Sequence, residues 1–234
     1  MSTQLSFDLP ARAALGRDDF FISPSNALAV AMIDTPDTWS NGKLLLIGPK
    51  GSGKTHLAHV WAAQSGARII SALTLQEDDV PDLLRTPLVI EDIDQITKDH
   101  ALETALFHLH NLAQAEGRAL LFTAKSQPQH WGLTLPDLAS RLQAIQTATL
   151  EAPDDTLLTA VLMKLFADRQ LNPAPDVIPF LALRIDRSFA AAQQVVAALD
   201  KAALDAGRAI TRAFASAALD KIREDSAHSD AQQE

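Results

Sequence analysis

The chain has 234 residues, a formal net charge of −9 with histidine neutral, 47% hydrophobic and 21% charged residues, and no cysteine. This composition excludes a chain that is mostly disordered, and it excludes disulfides and thiolate metal sites. No run reaches the roughly 18–20 apolar residues of a membrane span, there is no basic-then-apolar leader, and the charge opposes unaided binding to nucleic-acid phosphates. A cytoplasmic protein without membrane contact is therefore expected.

In chain order, residues 1–19 read as a flexible polar tail that nevertheless carries "QLSFDLP" (4–10), with Leu5, Phe7 and Leu9 at alternating positions. Beyond it, "KLLLIG" (43–48), "ARIISA" (67–72), "PLVIED" (87–92), "ALLFTA" (119–124) and "TATLEA" (147–152) are short apolar runs bounded by polar or turn residues. Strands covered on both faces have this pattern, because neither side chain direction meets water. Helical segments lie between them, such as 54–64 and 101–117, the second with Leu102, Leu106, Leu109 and Ala113 at helical spacing and Gly117 as its stop. Strands alternating with helices predict an α/β fold with a five-stranded, mainly parallel sheet over residues 20–153.

After Pro153 the strand pattern ends. Segments 155–169, 176–186, 188–206 and 211–223 read as helices, with Thr211 as an N-cap, and predict a small all-helical subdomain over residues 154–223 followed by a polar tail over 224–234.

The segment "GPKGSGKT" (48–55) matches G-x-x-x-x-G-K-[ST] between a predicted strand and a predicted helix, the context in which that motif is a phosphate-binding loop. Gly48, Gly51 and Gly53 let the backbone curl around phosphates, with Pro49, Lys50 and Ser52 completing the loop and His56 following it. The helix N-terminus adds partial positive charge. Lys54 is suited to the β- and γ-phosphates and the Thr55 hydroxyl to Mg²⁺, so ADP or ATP is the expected ligand. "LVIEDID" (88–94) ends a strand in Glu91 and Asp92, the carboxylates that a P-loop site needs for Mg²⁺ and water, Asp92 with Thr55 being the expected metal ligands.

His56, His59, His108 and His110 lack a third partner at convincing ligand spacing, so packing or surface roles are expected of them. Arg141, in "LPDLASRL" (135–142), falls between the fourth and fifth strands in a segment expected to cross the mouth of the sheet. There an arginine is either a surface residue or one that reaches a phosphate on a neighbouring subunit.

The stretches "FFISPSNALAVAMID" and "NGKLLLIGPKGSGKTHLAHVWA" resemble the opening of the DnaA-type AAA+ ATPase domain, and the resemblance covers residues 20–223. It implies a P-loop AAA+ fold with a helical lid, an adenine-side segment including Phe21, Ile22 and Asn26, a Walker B pair at Glu91 and Asp92, and an arginine finger at Arg141. Within the family the chain is most similar to the Hda branch, DnaA-related regulators of replication initiation expected to lack the DNA-binding domain. The resemblance then implies that "QLSFDLP" docks on the β sliding clamp through Gln4, Leu5, Phe7 and Leu9.

DNA would be reached only indirectly through the clamp, DnaA would be the partner, and a homodimer is compatible with the pattern. Three positions depart from the family: Glu91 stands where an aspartate is usual, Lys125 occupies the sensor-1 place, and Ala191 falls on the sensor-2 arginine, leaving Arg184 or Arg187 to substitute. Weak self-hydrolysis is the implied consequence. The alternatives are an active AAA+ ATPase that loads or remodels a helicase or transposase, and a non-catalytic adaptor that recruits DnaA.

Overall fold

The apolar runs of the sequence form five strands in the computed structural model, which describes residues 21–230. Helix α1 (Ala27–Ile33) precedes β1 (Lys43–Ile47), and α2 (Lys54–Ser65), β2 (Arg68–Ser71), the short α3 (Val80–Leu83), β3 (Leu88–Glu91), α4 (His100–Ala115), β4 (Leu120–Ala124), α5 (Pro136–Gln143) and β5 (Gln146–Thr149) follow. All neighbouring strands are parallel, in the order β2-β3-β4-β1-β5.

Strand side chains alternate faces, and here both faces are covered. Leu45, Ile47, Leu88, Ile90, Leu120 and Phe122 pack with α3, α4 and α5 on one side. Leu44, Leu46, Val89, Leu121 and Ala148 pack with α1 and α2 on the other. Every residue of β1 and β4 is buried, each large aliphatic side chain contributing about 1.5–3 kcal/mol. That two-sided burial explains why these runs show no alternation in the sequence.

The fifth strand departs from expectation. It spans Gln146–Thr149 rather than 147–152, because β1 ends at Ile47 and the chain turns away into the glycine loop. The Leu150 amide makes one more bond, to the Ile47 carbonyl at 2.7 Å, and no further partner strand remains.

Helices α6 (Asp155–Asp168), α7 (Val177–Ala182), α8 (Phe189–Ala206) and α9 (Arg212–Asp230) share a core of their own, including Leu158, Leu162, Phe166, Leu181, Val196 and Leu199. Side-chain caps start three of them, α6, α8 and α9: Asp154 accepts from the Leu157 amide at 2.7 Å, Ser188 from Ala191 at 3.0 Å, and Thr211 from Phe214 at 3.3 Å. Helix α7 is shorter than the expected 176–186, since the chain leaves helical geometry to let Ser188 cap α8. Helix α9 continues past residue 223 to Asp230. Among the described residues, no helix is long and apolar enough to cross a membrane.

Candidate functional site

The loop from Gly48 to Thr55 leaves the C-terminal end of β1 and opens α2. Gly51 and Gly53 have φ of +79° and +97°, the left-handed region in which a side chain is strained. Gly48 is constrained differently: an added Cβ would lie 2.3 Å from the Leu150 carbonyl oxygen and 2.7 Å from Ser52 Oγ. All three glycines are thus required by geometry.

Lys54 is buried at the start of α2, and its ammonium donates to the carbonyls of Gly48 at 2.7 Å and Pro49 at 2.9 Å. Burial holds its pKa below the usual lysine value; Asp92 and Asp94 pull it up, Lys125 pushes it down, and Glu91 pulls it up more weakly. Those four side chains are therefore electrostatic neighbours of the loop. Lys125 in particular is set by the end of β4 into the field of Lys54.

Asp92 adopts a left-handed conformation with φ of +55°, and its amide donates to Thr123 Oγ1 at 3.0 Å across to β4. This strained turn directs the chain away from the sheet immediately after β3. Glu91 Oε1 and Asp94 Oδ1 are buried with no hydrogen-bond partner among the described residues. These carboxylate oxygens and the Thr55 hydroxyl at the start of α2 are all oxygen donors, the ligand type that Mg²⁺ takes, although no group of three or more His, Asp or Glu residues gathers to hold a metal among the described residues. Asp94 was missed in the sequence reading, although it lies two residues beyond Asp92 in the same acidic run.

Phe21 to Asn26 are tied together by the Asn26 side chain, which accepts from the Ser23 amide and donates to the Phe21 carbonyl, both at 2.9 Å. The Ser25 carbonyl accepts from the Glu151 amide at 3.2 Å, one residue past the Leu150 that backs Gly48. Asn26 is buried, while Phe21 and Ile22 are exposed. Lys50 and Pro49 are exposed, Ser52 is buried, and His56 is half-buried. The structure thus brings residues 21–26 and the glycine loop together around the end of β5.

The lid closes on the same loop. The Phe189 amide donates to the Gly51 carbonyl at 2.9 Å, and a Cβ on Gly51 would lie 2.6 Å from Ser188 Cβ. Arg187 pairs with Asp155 at 2.8 Å, both half-exposed or more, and Arg184 stacks over the Phe180 ring at 4.2 Å. Both arginines have partners inside the lid. Ala191 lies in the first turn of α8, where its amide serves the Ser188 cap.

Arg141 is not at the mouth of the sheet, contrary to expectation. Helix α5 begins near that mouth but carries Arg141 in its last turn, and the residue lines a cavity with Ser40, Asn41 and Lys43 at the beginning of β1. The length of β1, about 13 Å at ~3.3 Å per residue, separates this end from the P-loop. The guanidinium sits 5.1 Å over the Phe107 ring, a cation–π contact that holds it in place.

A second residue that sequence reading missed fixes the start of α5. Glu103, fully buried in α4, accepts from the amides of Lys98, Thr134 and Leu135 and from the Thr134 hydroxyl, at 2.8–3.1 Å. Its place on the buried stripe with Leu106 and His110 was the available signal. The peptide Gln4, Leu5, Phe7 and Leu9 lies outside the described residues.

No family model matches the sequence. The chain is similar to domain III of the Thermotoga maritima replication initiation protein DnaA, with a TM-score of 0.77 at 20% identity over 91% of this chain and 98% of that one. It is also similar to AMPPCP-bound DnaA from Aquifex aeolicus, with a TM-score of 0.65 at 16% identity over 77% of this chain and 63% of that one. A RuvB variant from Thermotoga maritima gives a TM-score of 0.66 at 18% identity over 84% of this chain and 68% of that one. These likenesses show the fold: a P-loop AAA+ fold of the DnaA type, with its parallel sheet and helical lid.

Proposed function

We propose that this chain is an Hda-type regulator of replication initiation, which binds ADP or ATP in its own P-loop and stimulates hydrolysis of ATP held by a DnaA partner. The observation that carries this reading is the position of Arg141. It stands at the opposite end of β1 from the chain's own phosphate loop, stacked on Phe107 and half-buried, where it cannot serve its own nucleotide but can meet one held by a neighbour. An arginine supplied in trans stabilises charge on the transferring phosphoryl group and contributes about 10³–10⁵ in rate.

In this reading Gly48 to Thr55 hold the phosphates, Phe21 and Ile22 flank the base, and Asp92 with Thr55 holds Mg²⁺, which would neutralise phosphate charge. Gln4, Leu5, Phe7 and Leu9 anchor the chain to the β sliding clamp, so that DNA is reached only through the clamp. A few buried apolar anchors are enough for such a peptide. Inactivating DnaA after the clamp is loaded would restrain repeated initiation.

The test combines the protein with clamp-loaded DNA and ATP-bound DnaA and follows ATP turnover. Arg141→Ala should lose the acceleration by about 10³ while its own ADP affinity holds. Acceleration by that variant equal to the wild type would overturn the reading. Deleting residues 1–10 should remove clamp binding and leave nucleotide binding intact.

One observation favours a second reading, an active ATPase that loads or remodels another protein: Glu91 Oε1, buried beside the P-loop without a hydrogen-bond partner among the described residues, is of the type that orients water. Rapid ATP turnover by the chain alone, abolished in Glu91→Gln, would support it.

A further inference from the structure

Beneath Arg141 lies a cavity of about 110 Å³ lined chiefly by Ser40, Asn41, Lys43, His110, Gln114 and Arg141. Lys43 is 2% exposed and its ammonium donates to Gln114 Oε1 at 3.3 Å. His110 is 4% exposed, and its Nδ1 is buried without a hydrogen-bond partner. Among the described residues, no carboxylate lines the space. Two cationic side chains and the buried His110 ring thus line a small polar chamber with no opposing charge among the described residues, an arrangement that is costly unless an anion completes it.

We propose that this cavity is a binding site for one phosphate-class oxyanion, held by the Lys43 ammonium, the Arg141 guanidinium and the His110 ring. The chamber is on the scale of a single tetrahedral oxyanion and well below the ~300–1,000 Å³ of pockets that enclose larger ligands. Gln114, exposed at the rim, and the Ser40 hydroxyl add neutral hydrogen-bonding groups. The site is distinct from the P-loop, since Lys43 begins the strand that the P-loop follows. It does not depend on Arg141 acting on a partner's nucleotide.

Burial, Lys43 and Arg141 together hold the His110 pKa at about 4, against a weaker upward pull from a side-chain hydrogen bond with Asn111. Burial and Arg141 likewise lower that of Lys43. A bound dianion reverses the sign of the local field, so binding draws protons onto these groups.

The experiment uses the full chain saturated with ADP, which occupies the P-loop, and titrates inorganic phosphate while following the His110 ring resonances by NMR. Phosphate should move those resonances saturably and raise the apparent pKa of His110. Gln114→Glu, a surface change that sets a carboxylate beside Lys43, should weaken binding roughly tenfold or more, and Lys43→Met should weaken it at least as much. Resonances unmoved by phosphate in the folded wild type, or unchanged affinity in Gln114→Glu, would overturn the proposal.

A parallel titration of Lys54→Ala with AMPPCP identifies the source. Movement of His110 only with inorganic phosphate supports a site for free phosphate, and movement with both supports one that also admits a nucleotide's terminal phosphate.

Discussion

The two ends of β1 carry positive charge in opposite ways. At its C-terminal end the charge is largely backbone: amides of a glycine loop and the start of α2, with one lysine satisfied by two carbonyls. At its N-terminal end it is carried by side chains, Lys43, Arg141 and the titratable His110, around a chamber lacking acid. Carboxylates surround the first end, through Asp92, Asp94 and Glu91, and among the described residues none lines the second. A backbone cradle with nearby carboxylates suits a phosphate chain and a metal ion that stay; an acid-free cluster suits a single anion that is supplied from outside.

Substitutions can break this contrast, and the largest effect belongs to Arg141→Ala. On the proposed function, stimulated ATP hydrolysis on the partner should fall by about 10³, equivalent to about 4 kcal/mol, with nucleotide affinity of the chain itself unmoved in a fluorescence titration.

Glu103→Ala tests whether the ends are mechanically joined, because this carboxylate holds the start of the helix that ends in Arg141. Leaving the amides of Lys98, Thr134 and Leu135 without their acceptor should cost about 3 kcal/mol in urea unfolding and reduce stimulation as well. Glu103→Gln, which keeps an acceptor oxygen, should cost less.

The pH dependence sharpens the contrast from the side-chain end. His110 has a folded pKa of about 4 against an ordinary 6.5, so the folded state resists protonation that the unfolded chain accepts. Stability is complete above the ordinary value and is lost as pH falls through the folded one, by at most about 3 kcal/mol. In phosphate-free buffer, His110→Leu should show a smaller loss between pH 7 and pH 4 by chemical denaturation.

A smaller effect is expected at the backbone end. Gly51→Ala combines a φ of +79° with a Cβ pressed to 2.6 Å from Ser188, and should cost about 2 kcal/mol in thermal unfolding. Adding Ser188→Gly should recover the steric part and leave the conformational part, which a double-mutant cycle separates.

The backbone end was legible in the sequence because its chemistry is contiguous. Gly48 to Thr55 occupy one loop, and "LVIEDID" announces its carboxylates at the end of an apolar run. The second end draws Lys43, His110 and Arg141 from a strand, a helix and a later helix, and no local spacing announces that meeting. Arg141 was placed at the wrong end of the sheet because a segment between two strands does not reveal how far its helix travels before returning. His110 was expected to pack or to lie at the surface and Glu103 drew no expectation, though both fall on the buried stripe of α4, where a polar residue signals an internal task.

The contact between Gly51 and the lid has a mechanical consequence. The Phe189 amide grips the Gly51 carbonyl while Ser188 sits where a side chain on that glycine would be, so the first turn of α8 and the crest of the phosphate loop form one joint. A joint with no slack transmits rotation. A tilt of the lid would pull on the loop proposed to hold phosphate, and a reshaped loop would lever the lid, so that on the proposed function ligand occupancy and lid angle become two readings of a single dial.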